Sequence, residues 1–112
     1  MKSDLIRLHH ILKAAQDIIR FTKGKTRNDI KTDEILVLAL VKEIEIIGEA
    51  ATKLSIETKE KFPNIEWRDM IGMRNRLIHA YDEIDFGILC DTIANDIPQL
   101  IDELEQIPDL SF

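Results

Sequence analysis

The chain has 112 residues, 45% of them hydrophobic and 32% charged, with a formal net charge of −6 at pH 7 and a single cysteine. That length holds one ordinary core and excludes two, so residues 1–112 read as a single domain, and the acidic balance excludes a protein that coats nucleic acid through its overall field. Cys90 alone excludes an internal disulfide and a cysteine-built zinc site, and no apolar run approaches the roughly 18 residues of a membrane span, so the expectation is a cytoplasmic chain without an export signal.

In chain order, Ser3 and Asp4 open an amphipathic helix in which Leu5, Leu8, Ile11, Leu12, Ala15 and Ile19 recur at helical spacing, ending near Phe21. The stretch Thr22 to Asp29 contains Gly24 and polar filler and reads as a solvated connection. Thr32 and Asp33 cap a second helix running through Leu36, Leu40, Ile44, Ile47, Ala51 and Leu54, expected to be the longest of the chain. Its first half, Ile35 to Val41, is apolar all round, which marks a helix covered by more than one neighbour or shared with a second subunit. Farther along, Glu45 and Glu49 lie four apart beside Gly48, where a helix-disfavoured residue permits close backbone approach. Pro63 and Asn64 start a third helix expected to carry Trp67 through Tyr81, and Asp85 caps a fourth with the stripe Phe86, Leu89, Ile93, Ile97, Leu100 and Leu104. Pro98 projects away from that stripe and is expected to bend the helix on its solvent side. The tail from Pro108 reads as loose. With no strand alternation and no repeat, the fold class is all-α, a bundle of about four main helices with short connections.

The third helix breaks the binary pattern. At about 100° per residue, Trp67, Met70, Ile71, Leu77, Ile78 and Tyr81 gather into one apolar stripe, and Arg74 falls in its middle. A guanidinium keeps its proton and is costly to bury alone, so the fold must bring it a carboxylate, with Glu45 and Glu49 as candidates, or open a cleft for an anion. His79 projects about 140° from Arg74 on an ideal helix, with Asn75, Arg68 and Gly72 on its flank. The two converge only if the helix loosens near Tyr81 or if a second copy supplies the partner across a two-fold axis. A histidine that moves a proton and an arginine that braces a charged transition state suit phosphodiester cleavage. No metal is expected, because His9 and His10 are adjacent on different faces and no His or Asp spacing matches a ligand set. Cys90 lies in the apolar stripe of the fourth helix and reads as a small core residue.

The segment Ile65 to Tyr81, with arginine, four residues, histidine, one residue, tyrosine, resembles the signature of the HepT toxins of the HEPN superfamily. Ile44 to Ala51 is similar to the family's second-helix motif, and the likeness includes Asp96 to Leu100. The resemblance implies a four-to-five-helix up-and-down HEPN-type bundle that is homodimeric. It implies a metal-independent endoribonuclease without cofactors, acting on RNA as the toxin of a type II/VII-like toxin–antitoxin system. Its antitoxin would be an MNT-type nucleotidyltransferase. Carried over by position, Arg74 and His79 are the catalytic pair, Asn75 is the polar residue beside them with Arg76 and Arg68 in support, and Tyr81 is the residue that receives AMP. Two other readings compete: a non-catalytic HEPN dimer that binds a nucleotide or its partner, and a structural dimer in which Glu45 or Glu49 neutralises Arg74.

Overall fold

The computed structural model describes residues 2–78, 83–108 and 110. Seven α-helices follow one another among them: α1 Lys2–Thr22, α2 Arg27–Thr32, α3 Glu34–Thr52, α4 Ile56–Lys61, α5 Trp67–Leu77, α6 Phe86–Asp91 and α7 Ile97–Glu105, with a π-helical turn Thr92–Asp96 joining the last two. No strand occurs among the described residues, only an isolated antiparallel bridge between Ile78 and Ile84. The four main helices of the sequence reading are therefore α1, α3, α5 and the continuous α6–π–α7 run. The expected order of lengths is corrected, since α1 has 21 residues and α3 has 19.

Helix α3 is the hub, packed against α1 on one side and α5 on the other, while α7 closes over α1. It starts where expected, with the Asp33 carboxylate accepting from the Leu36 N–H at 3.0 Å. Its inward residues Val37, Leu40, Val41, Ile44, Ile47 and Ala51 meet Leu8, Ile11, Leu12, Ala15 and Ile18 of α1 in one core. The α3–α5 contact is close because α3 lacks a side chain where they cross: a Cβ built on Gly48 would sit 3.4 Å from the Ile71 carbonyl oxygen.

Two short helices replace expected loop. Thr26 and Asp29 form a reciprocal capping box that starts α2 inside the supposed connection, and Arg27 then reaches Asp91 at the end of α6. Helix α4 begins at Ser55, whose hydroxyl accepts from the Thr58 N–H, and its end is tied to α5 by the Trp67 indole, which donates to the carbonyls of Lys59 and Phe62. Of the tail expected to be loose, Leu110 is fully buried with its N–H bonded to the Ile107 carbonyl, while Asp109, Ser111 and Phe112 lie outside the described residues. Near Pro98 the chain widens into the π turn, in which the Ile97 N–H bonds back to the Thr92 carbonyl. That wider turn accommodates a residue with no N–H of its own, and Ile97, Leu100 and Leu104 stay in the core.

Two polar clusters bind α1 to its neighbours. The buried Asp4 carboxylate accepts from the hydroxyls of Ser55 and Thr58, each at 2.6 Å, and from the Ser55 N–H at 3.1 Å. The Ser55 hydroxyl first, then that of Thr58, hold Asp4 below the usual carboxylate range. Between α1 and α3, burial and then the neighbouring Asp17 carboxylate push Glu43 up to about 7. Asp17 is drawn down to about 2, first by the hydrogen bond from Glu43 and then by Lys13 and Arg20.

Candidate functional site

Helix α5 carries the pattern-breaking arginine, but its buried stripe is Trp67, Met70, Met73 and Leu77. Met73 belongs in the core, and Ile71 lies at the boundary with 37% of its surface exposed. The true stripe is thus rotated by about 50° from the expected one at 100° per residue. Arg74 consequently stands at the edge of the core, with its side chain 44% exposed.

Both outcomes demanded by an arginine at that position occur together. The Arg74 Nε donates to Glu45 Oε1 of α3 at 2.8 Å. The same residues wall a groove of about 390 Å³ that also includes Gly48, Glu49, Thr52, Ile71 and Asn75, a size within the range of roughly 300–1,000 Å³ typical of small-ligand sites. Gly48 keeps α5 close to α3 along the base of the groove, and the Thr52 hydroxyl is turned back onto the Gly48 carbonyl at 2.9 Å. A guanidinium has five N–H donors and the Glu45 bond uses one, so the fork retains donors for an anion in the groove. Half-exposed ion pairs contribute only about 0–1 kcal/mol, so Glu45 aims the guanidinium more than it holds the helices together. In the sequence, Gly48 and the pair Glu45 and Glu49 are singled out by their helical spacing, whereas Ile71 reads as part of the apolar stripe and Thr52 carries no signal beyond its place one turn from Gly48.

The remaining candidates separate. Asn75 shares the groove with Arg74. Arg68 is exposed on the first turn of α5, outside the residues that line the groove. Arg76 turns to the opposite flank, where its Nη1 donates to the Asp69 carbonyl at 3.1 Å and its Nη2 lies 4.0 Å from Asp96. It lines a different depression with Met73, Leu100 and Glu103, between α5 and α7. His79 and Tyr81 lie outside the described residues. The expected helix through Tyr81 is nevertheless corrected, because α5 ends at Leu77 and Ile78 is extended, with φ −107° and ψ 119°. Ile78 pairs with Ile84, and the Asp85 N–H donates to the Leu77 carbonyl at 2.7 Å. The 140° separation drawn for one straight helix therefore no longer constrains Arg74 and His79. Among the described residues no group of three or more His, Cys, Asp or Glu side chains is placed to hold a metal ion, and no helix is long and apolar enough to cross a membrane.

Comparison with known proteins matches residues 11–107 to the family described as Ribonuclease HepT-like. A protein of Methanocaldococcus jannaschii named "Putative RNase MJ1380" is 39% identical over 98 residues, covering 88% of this chain and 90% of that one. One from Caldanaerobacter subterraneus subsp. tengcongensis, named "Putative RNase TTE0752", is 36% identical over 107 residues, 96% of each chain. A third, from Thermococcus cleftensis and named "Probable ribonuclease HepT", is 36% identical over 100 residues, 89% of this chain and 91% of its own. No solved structure matches.

Proposed function

Since the chain belongs to the HepT-like ribonuclease family, of the HEPN type, we propose that it is a metal-independent endoribonuclease whose reaction is carried by Arg74 and His79. The observation that carries this reading is Arg74, paired through Nε to Glu45 and standing in an open groove with Asn75. In the proposed step the ribose 2′ oxygen attacks the adjacent phosphorus and the bond to the 5′ oxygen breaks. His79 takes the 2′ proton and returns a proton to the leaving 5′ oxygen, and Arg74 braces the charge on the non-bridging oxygens. The products are a 2′,3′-cyclic phosphate, or its opened form, and a free 5′ hydroxyl. The test is cleavage of single-stranded RNA by purified protein in EDTA: turnover with cyclic-phosphate ends is expected, whereas activity lost to chelator and restored by magnesium would remove the mechanism.

The protein acts as a homodimer through the outer face of α3. Ile35 and Leu38, one turn apart at the start of that helix, are 82% and 59% exposed, and a second copy related by two-fold symmetry covers both. In the cell it is the toxin of a toxin–antitoxin pair, silenced when an MNT-type nucleotidyltransferase transfers AMP to Tyr81. The added phosphate competes with RNA for Arg74, and the nucleoside fills the groove. Incubation with ATP, magnesium and such an enzyme is expected to give a mass gain of one AMP; no gain, or a gain that survives Tyr81→Phe, refutes the assignment. The Glu45 ion pair favours one other reading, an interaction module in which Arg74 is structural, and the cleavage assay separates the two.

A further inference from the structure

A second depression, of about 300 Å³, lies between α1 and the C-terminal half of α3, where Arg7, His10 and Lys53 surround the apolar pair Ile6 and Ile46. Glu49 lines both this depression and the Arg74 groove, so the two are neighbours across the width of α3, about 10 Å for a helix with its side chains. The local charge runs against the composition of the chain. In a protein of net charge −6, this hollow has two full cations and a histidine against the single carboxylate of Glu49. Two other hollows are acidic: Lys23 and Lys25 share theirs with Asp29, Asp33 and Glu34, and Arg76 shares its own with Glu66, Asp69, Asp96 and Glu103. The cations are also available to a ligand. His10 and Lys53 are exposed, and among the described residues Arg7 makes a long 3.4 Å bond to the Ser3 carbonyl.

Resting on the ribonuclease reading, we propose that this depression is the track for the RNA backbone on one side of the cleaved phosphate. Arg7 and Lys53 contact non-bridging phosphate oxygens, His10 donates a further hydrogen bond, and a sugar or base face lies on Ile6 and Ile46. Phosphate contacts of this kind position a strand without reading its sequence. A local track also reconciles an acidic protein with a polyanionic substrate, since a Debye length of about 8 Å at physiological salt screens the distant carboxylates from a phosphate in direct contact.

The test measures KM for a ten-nucleotide single-stranded RNA across a salt series in wild type, in Arg7→Ala/Lys53→Ala and in Lys61→Ala, an exposed lysine of α4 outside both depressions. Melting temperatures establish that each variant is folded. The double variant is expected to raise KM by about tenfold or more, and to flatten the dependence of log KM on log salt by about 0.7 for each lost contact, the value for single strands. Lys61→Ala controls for the loss of a surface cation away from the track and should stay within about twofold of wild type. A double variant that matches wild type, or a Lys61→Ala effect of the same size, overturns the track while the ribonuclease reading stands. Wild-type protein that cuts no RNA removes both.

Discussion

Replacing His79 with alanine should lower RNA cleavage by roughly 10² to 10⁴, the usual contribution of a positioned proton donor or acceptor. Arg74→Ala should cost roughly 10² to 10³, as for loss of one preorganised donor to transition-state charge. These losses should come without unfolding. Arg74 is half exposed and its ion pair with Glu45 spans a water-accessible groove, so its removal should destabilise the bundle by less than about 1 kcal/mol. Arg74→Lys keeps the charge and loses the planar fork, and should recover only part of the rate. Cleavage of a fluorescent RNA, with thermal melts alongside, checks all three variants. Wild-type turnover by His79→Ala or by Arg74→Ala would end the assignment of the pair.

If the chain pairs through α3 as proposed, Ile35→Glu/Leu38→Glu should leave it monomeric at micromolar concentration. Each aliphatic side chain contributes about 1.5–3 kcal/mol when fully covered, and two-fold symmetry counts every contact twice, so this pair is a large share of any interface built on α3. The four introduced carboxylates of the assembled dimer would also repel one another across the axis. Because both side chains already face solvent in the single chain, the variant should fold. Sedimentation at several concentrations reads the outcome: a variant that sediments like wild type would move the interface elsewhere, and a wild-type monomer would remove the dimer.

Much of this architecture was written in local signals. Asp33 and Asp85 announced α3 and α6 because a carboxylate cap acts over three residues and needs no tertiary partner. Gly48 announced the close crossing, and the pair Glu45 and Glu49 offered two partners for Arg74, of which Glu45 makes the bond. The misses came from longer-range causes. Helix α4 is made worthwhile by Asp4, more than 50 positions earlier, and by the Trp67 indole, neither visible in a window around Glu57 to Lys61. The end of α5 is set by pairing of Ile78 with Ile84, so helical periodicity continued on paper past the point where the backbone turns extended. The burial of Arg74 was overestimated for a related reason: a stripe drawn from residue types included Ile71 and left out Met73, and only the position of α3 decides between them.

The two carboxyl clusters on α1 place opposite limits on the pH range in which the bundle is held together. Asp4 and Asp17 are depressed in the folded chain, so what they contribute is complete above the ordinary carboxylate range and fades as acid protonates them. Glu43 is raised to about 7, so its contribution is complete below the unfolded value and is lost as alkali strips its proton beside Asp17. Folding between these limits takes up a proton at the α1–α3 seam that the unfolded chain does not carry. The helix that presents Arg74 its carboxylate is thereby fastened to α1 most firmly in mildly acidic solution, and the proton taken up comes from the buffer, so the heat of folding at fixed pH includes the buffer's own ionisation.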